Sequence, residues 1–425
     1  MRRDIIGMSQ RERQRYHLLR MVIERKGTLK KASSLMVVAY RHAKRLKRRL
    51  INAGANGLVH GNRGRASPRT LNPELAERII ELSESTYRNF NDTHFTEKLK
   101  EVEGITVGRD TVRRLRRANG IAPKRKRRAK KCYKRRPRKP QEGMMVLWDG
   151  SPHAWFGKER PPCCLMSAID DATGNLLEAF FIPAECSFGY LKLLKAMVTR
   201  YGIPLAIYQD RHSSLHRNDD NWTLEEQLNG VQEPTQVGGA LAALGITPIF
   251  ALTPQAKGRI ERLFGVLQDR LIAEMELLNI TEIEAANTFL TECFIEEYNR
   301  RFGIAPETPQ KAWRRVPKDL DIDTTISFRY RATVGNDNAI RLGGIVIDIP
   351  EGPSRRGYAK AQVEVRQLLD GSWRVYYKDK LIACTKSTPL NEPIRAKPRK
   401  KSNLRAASEE HWVYMLPAVE RGHYY

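Results

Sequence analysis

Residues 144–182 read MMVLWDGSPHAWFGKERPPCCLMSAIDDATGNLLEAFFI, and the architecture of the chain turns on this stretch. The apolar run 144–149 has the length of a buried strand and closes on Asp149. Residues 163–170 and 176–182 are two further strands, folded as a hairpin around Asp171-Ala172-Thr173-Gly174-Asn175. After these three antiparallel strands the pattern alternates. Ser187 caps a helix carrying Leu191, Leu194 and Val198 that stops at Gly202; a strand at 205–210 closes on Asp210. A helix near 236–244, a strand at 247–251 and a long helix from about 255 to 278 follow. This is the ribonuclease-H-like order, an α/β sheet with helices on both faces in which the first and fourth strands are neighbours.

That adjacency brings Asp149 beside Asp210, with the helix bearing Glu261 crossing near their ends. Within TPQAKGRIER (253–262) Glu261 stands one helical turn beyond Lys257, and Arg259 lies between them. Three converging carboxylates suit hard divalent cations, Mg²⁺ or Mn²⁺. Phosphodiester chemistry by water or a 3′-hydroxyl uses two such ions about 3.5–4 Å apart. Asp170 and Asp171 compete as ligands but read more naturally as hairpin-turn residues. His153, His212 and His216 lie near the two aspartates in sequence, open to a supporting, a DNA-contacting or a structural role.

Working outward, the charge is concentrated at one end. The chain has 425 residues and a formal net charge of +27, enough length for about three domains. Residues 1–140 hold 40 Lys/Arg against 12 Asp/Glu, whereas residues 141–425 hold 35 against 36. A basic third attached to a near-neutral body points to nucleic acid as partner, double-stranded DNA once its basic helices are read as helix-turn-helix units. Signal-peptide and membrane-spanning patterns are not found, so a soluble, cytoplasmic, nucleoid-associated bacterial protein is expected. The six cysteines show no zinc spacing.

Two basic helical units account for the front. The first carries Arg41, Lys44, Arg45 and Arg48 on the outer face of its third helix, as in a helix-turn-helix whose last helix enters the major groove, although its turn, Met36-Val37-Val38, lacks the usual Gly or Ser. Arg63 and Arg65 in the following linker are candidates for a minor groove, a plain linker being the alternative. The second unit ends in a helix with Arg109, Arg113, Arg114, Arg116 and Arg117. Between it and the strands, residues 124–139 pack 12 Lys/Arg into 16 positions, among them Lys124, Arg125, Lys126, Arg127 and Arg128. This arm cannot fold alone; extended, it reaches about 50 Å along a phosphate backbone. Beyond the strand-and-helix region, short strands near 326–331, 339–349, 361–368 and 372–377, the last two joined at Asp370-Gly371, suggest a small β-barrel.

The segments WDGSPHAWF, IDDATGNLL, YQDRHS, TPQAKGRIERLFGVLQDRL and EEYNRRFGIAPETP resemble the integrase-core (DDE) transposases of bacterial insertion sequences, most nearly the ISNCY type. The resemblance implies a retroviral-integrase-like catalytic fold, Mg²⁺ dependence, and Asp149, Asp210 and Glu261 as the catalytic, metal-holding carboxylates. It further implies that Lys257 contacts the phosphate of the terminal DNA, and that at least a dimer acts, with one active site per DNA end. Two departures stand out: the 50 residues between Asp210 and Glu261, with 213–234 as an insertion, and the absence of a zinc-binding His/Cys domain. The expected organisation is a helix-turn-helix domain at 1–60, a linker at 61–70, a second helix-turn-helix-like domain at 71–123 and a basic linker at 124–140. A ribonuclease-H-like core at 141–318, a small β-barrel at 324–390 and a basic, aromatic tail at 391–425 complete it. The expected function is Mg²⁺-dependent 3′-end cleavage and strand transfer of an insertion sequence into target DNA, the alternative being an inactive DNA-binding regulator derived from such an enzyme.

Overall fold

Ser9 starts the first helix: its side chain accepts the Glu12 N–H and the Glu12 carboxylate accepts the Ser9 N–H, a reciprocal cap. The computed structural model describes residues 7–63, 71–124, 136–217, 222–251, 258–353 and 356–386. The chain divides into two units, Met1–Arg78 and Ile79–Tyr425. In the first, α1 (Gln10–Ile23), α2 (Leu29–Leu35) and α3 (Tyr40–Ala53) enclose Leu19, Ala32, Met36, Ala43, Leu46, Leu50 and Leu58. The helical spacing of Ala43, Leu46 and Leu50 turns one stripe of α3 inward and leaves its cations outside. Between α2 and α3, Val37 has φ 54°, the left-handed conformation that a glycine would adopt without strain.

The division falls within α4 (Pro73–Glu84), and α5 (Asp92–Glu101) and α6 (Arg109–Ala118) follow in the second unit. Asn91 caps α5 by accepting the Thr93 and His94 N–H groups. Tyr87, Phe90 and Phe95 form an aromatic cluster, with ring centroids 5.2 and 5.5 Å from Tyr87.

The strands expected of residues 144–182 are β1 (Met145–His153), β2 (Cys163–Asp170) and β3 (Leu176–Ile182). Next come α7 (Ser187–Tyr201), β4 (Ala206–Gln209), α8 (Leu224–Asn229), α9 (Gln236–Ala243) and β5 (Thr247–Phe250). The sheet order is β3-β2-β1-β4-β5; β1 pairs antiparallel with β2 and parallel with β4, and β4 runs parallel to β5. Parallel neighbours need crossovers, which α7 and α9 supply. This mixed five-stranded order is the ribonuclease-H-like one.

Both faces of β1 are covered. Val146 and Trp148 point into a core with Tyr190, Leu191 and Leu194 of α7, whereas Met145 and Leu147 point into a second core with Ile260, Leu263, Phe264 and Leu267. The latter four belong to α10 (Gly258–Leu277), which is followed by α11 (Ile283–Phe289) and α12 (Ile295–Phe302).

The α5 segment docks on α10 and α12 through charge. Glu274 of α10 bonds His94 at 2.6 Å and Lys98 at 2.8 Å. Glu97 pairs with Arg270 at 2.6 Å and with Arg301 at 2.7 Å. Thus α5 is joined to α10 and α12 by a dense polar contact, not merely strung before them.

After α13 (Ile322–Thr325) come β6 (Phe328–Thr333), β7 (Ala339–Leu342), β8 (Ile345–Asp348), β9 (Gln362–Gln367), β10 (Trp373–Tyr377) and β11 (Lys380–Thr385). Among the described residues they form an open antiparallel sheet, β11-β10-β9-β6, and a separate β7-β8 hairpin sharing one core around Val365 and Trp373, rather than a ring closed by hydrogen bonds. Also among the described residues, no helix is long and apolar enough to cross a membrane.

Candidate active site

The register of β1 on β4 decides the geometry. Leu147 stands opposite Tyr208, and the Trp148 indole N–H donates to Gln209 Oε1 at 3.0 Å, so one step further Asp149 stands beside Asp210. Neighbouring strands lie about 4.8 Å apart, which makes the two carboxylates close companions. Alternation along β1 puts Asp149 on the face of Met145 and Leu147, the face α10 covers. Both aspartates are half-buried.

A third carboxylate, not singled out in the sequence, closes in from the other side. Between β3 and α7, Glu185 accepts the Tyr190 hydroxyl at 2.6 Å, and its Oε1 lies 3.8 Å from His212 Nδ1. The His212 backbone N–H in turn donates to Asp210 Oδ1 at 2.9 Å. Burial, followed by the charges of Glu185, Asp149 and Asp210, holds the Tyr190 phenol well above its ordinary range. The signal available in the sequence was an acidic residue where β3 gives way to α7.

Glu261 lies in the first turn of α10 and is exposed. Among the described residues, no group of three His, Cys, Asp or Glu stands close enough to hold a metal ion. On the same turn of α10, the Arg259 guanidinium is clamped on Asp171 and donates to the Arg136 carbonyl at 2.6 Å. Asp171 lies beside the start of β1, its N–H donating to the Met145 carbonyl, whereas Asp149 is four residues, about 13 Å, further along. Three carboxylates at ligating distance also repel one another without a cation between them. As donors, the paired aspartates are hard oxygen ligands of concentrated charge, and they fit Mg²⁺ or Mn²⁺.

The competing aspartates are committed elsewhere. Asp170 is buried and accepts the Gly143 N–H at 2.9 Å and the Thr173 N–H at 2.8 Å; Asp171 accepts from Arg136, the Lys139 N–H and Arg259. Of the remaining histidines, His153 packs edge-on against Trp155 at 5.4 Å and His216 against Phe250 at 4.8 Å, both ring contacts of a structural kind.

The candidate DNA-contacting cations divide into three groups. Arg41, Lys44, Arg45 and Arg48 of α3, and Arg109 and Arg113 of α6, are exposed. Arg116 is buried, donating to Asp92 at 2.8 Å and to the Phe90 carbonyl at 3.1 Å; Arg259 is held by Asp171, Arg63 is tied to Glu12 and the Gly7 carbonyl, and Lys124 pairs with Asp269 at 2.9 Å. These four are engaged by the protein itself. Arg65, Arg125, Lys126, Arg127, Arg128 and Lys257 lie outside the described residues, as does the tail at 391–425.

Comparison with known proteins gives two relatives over most of the chain. It is 33% identical over 375 residues to y4bF of Sinorhizobium fredii (strain NBRC 101917 / NGR234), a transposase by name, covering 88% of this chain and 80% of that one. It is 30% identical over 405 residues to the transposase for insertion sequence IS1202 of Streptococcus pneumoniae, covering 87% and 85%. No family model matches. Among solved structures, the HTLV-2 integrase catalytic core domain in complex with magnesium overlaps with a TM-score of 0.27 at 14% identity, over 40% of this chain and 94% of that one. A simian T-cell lymphotropic virus intasome overlaps with a TM-score of 0.30 at 12% identity, over 73% and 99%. Overlaps this low carry no weight for the fold, which rests on the strand order.

Proposed function

Because this chain belongs to the transposases, we propose that it binds the ends of an insertion sequence, cleaves at the 3′ ends and joins the new hydroxyls to target DNA. The observation that carries the reading is the parallel register that sets Asp149 beside Asp210 on the face covered by α10. In this reading Asp149, Asp210 and Glu261 hold two Mg²⁺ or Mn²⁺ ions. When bound, such ions activate a water or 3′-hydroxyl and stabilise the leaving oxygen.

The rest of the work falls to the chain's own cations. Exposed Arg41, Lys44, Arg45 and Arg48 offer α3 as a major-groove reader within a helix-turn-helix, and Arg109 and Arg113 offer α6 as a second contact. Lys257, four residues before Glu261, positions the terminal phosphate. The basic arm follows the phosphate backbone between these contacts and the site. One active site serves each DNA end, so the working species is at least a homodimer on DNA.

Incubation with Mg²⁺ and a labelled duplex of the native element end tests the reading. Wild-type chain nicks the 3′ end; Asp149→Asn abolishes nicking and leaves end binding nearly unchanged. Strand transfer retained by Asp149→Asn would sink the assignment. A second reading, a regulator that binds element ends without cutting, is favoured by one observation: among the described residues no three His, Cys, Asp or Glu stand close enough to hold a metal ion. It predicts end binding by the wild-type chain with no nicking under the same conditions.

A further inference from the structure

Around the paired aspartates the chain builds a clamp out of residues that the proposed chemistry does not use. Tyr190 is fully buried, packs against Trp148 at 5.3 Å and donates its hydroxyl to Glu185 Oε1 at 2.6 Å. Trp148 is the residue before Asp149 and is itself bonded to Gln209, the residue before Asp210. The same Glu185 oxygen faces the His212 ring at 3.8 Å, and the His212 N–H holds Asp210 at 2.9 Å. The other oxygen rests against the residue after Asp149: a Cβ on Gly150 would come 2.6 Å from Glu185 Oε2 and 2.9 Å from Cys164 Sγ. Any side chain at position 150 therefore has to displace the Glu185 carboxylate.

We propose that Glu185 is a positioning residue for the Asp149–Asp210 pair, anchored by the Tyr190 hydroxyl and seated in the space that Gly150 leaves open. The proposal rests on the reading of that pair as the cation-holding site. Glu185 is fixed from beneath by α7 and touches one aspartate strand through Gly150 and the other through His212, so it sets the separation of the two carboxylates. Its negative charge also adds to the field that draws a divalent cation to them. The interaction of a charged group with such a site is strong because both are partly withdrawn from water.

Mn²⁺ binding to the full-length chain, followed by electron paramagnetic resonance titration, tests this without recourse to activity. Asp149→Asn is the reference for the site itself and loses the binding. Glu185→Gln, which removes the charge, and Tyr190→Phe, which removes the anchor, each weaken Mn²⁺ binding by about tenfold or more. Gly150→Ala weakens it as well, but adds little on top of Glu185→Gln, because both act through one carboxylate. Tyr190→Phe deletes a single oxygen and decides the matter if the Glu185 variant fails to fold, as judged by circular dichroism melting. Wild-type Mn²⁺ affinity in Glu185→Gln and Tyr190→Phe, with binding lost in Asp149→Asn, overturns the positioning role and leaves the site standing. Wild-type affinity in Asp149→Asn overturns the site, and the positioning role with it.

Discussion

Arg113 and Arg116 sit three residues apart on α6, and what each does is decided by which side of the helix it occupies. Arg113 is exposed and pairs with the equally exposed Asp110 at 3.4 Å. Arg116 is buried; burial lowers its pKa, against the pull of Asp92, and its guanidinium closes the α5–α6 contact. Arg116→Met is expected to destabilise the fold by about 2 kcal/mol, less than a fully broken buried pair because Arg117 still holds Asp92 at 2.6 Å. Arg113→Gln is expected to leave the melting temperature unchanged and to lower the salt slope of DNA binding by about 0.9. A melt and a salt titration of both variants check the division, and a DNA defect without a melting shift in Arg116→Met would reverse it. Val37 makes a related point. The α2–α3 turn has the left-handed residue expected of such turns, but in a β-branched side chain at φ 54°. Val37→Asn should therefore stabilise α2 and α3 by about 1 kcal/mol, read as slower amide hydrogen exchange in both helices.

At the level of elements, the β1–β5 sheet was legible because each strand announces itself by an apolar run and a turn, and two runs end in aspartate. The docking of α5 on α10 was not. Glu97, Lys98, Arg270 and Glu274 read as solvated charges, and partners more than 170 positions apart leave no periodic trace. Nor could spacing show that Arg259, expected to meet DNA, is held by Asp171, 88 positions away. The α5–α10 contact carries its own pH dependence. Burial pushes the His94 imidazole below its ordinary 6.5, outweighing the bond to Glu274 that raises it. The neutral ring donates Nε2–H to Glu274, and its Nδ1 is buried with no partner among the described residues, so a proton there would be an unsatisfied donor. The folded state thus binds fewer protons than the unfolded one, and this stability is present above pH 6.5 and lost as pH falls below it. Burial raises the Glu274 carboxyl, but His94 and Lys98 together hold it below 4.5, so its own contribution is lost only in more acid solution. Melting between pH 7.5 and 5.5 should show the loss, and His94→Gln should flatten it while lowering stability at the upper end; an unchanged slope in that variant would place the dependence elsewhere.

Across the whole molecule, the basic arm is tethered at both ends to one sheet-and-helix body. Lys124 pairs with Asp269 of α10 at 2.9 Å, and Arg136 pairs with the buried Asp171 at 2.5 Å. Lys124, Arg136 and Arg138 at its two ends are therefore part of the fold, and the eight Lys/Arg of residues 125–135 are the ones to test for phosphate contact. This separates two kinds of substitution that composition alone would treat alike. Replacing six of those eight with Gln removes six phosphate contacts at about 0.9 each, so the slope of log affinity against log salt should become shallower by about 5, with the melting temperature unchanged. Arg136→Gln should do the reverse: it leaves Asp171, fully buried, with Arg259 and the Lys139 N–H but without its Arg136 contact, and lowers the melting temperature with little effect on the slope. Filter-binding titrations of the full chain on duplex DNA from 50 to 300 mM salt, paired with melts, measure both, and an unchanged slope in the six-fold variant would remove the arm from the DNA-bound state.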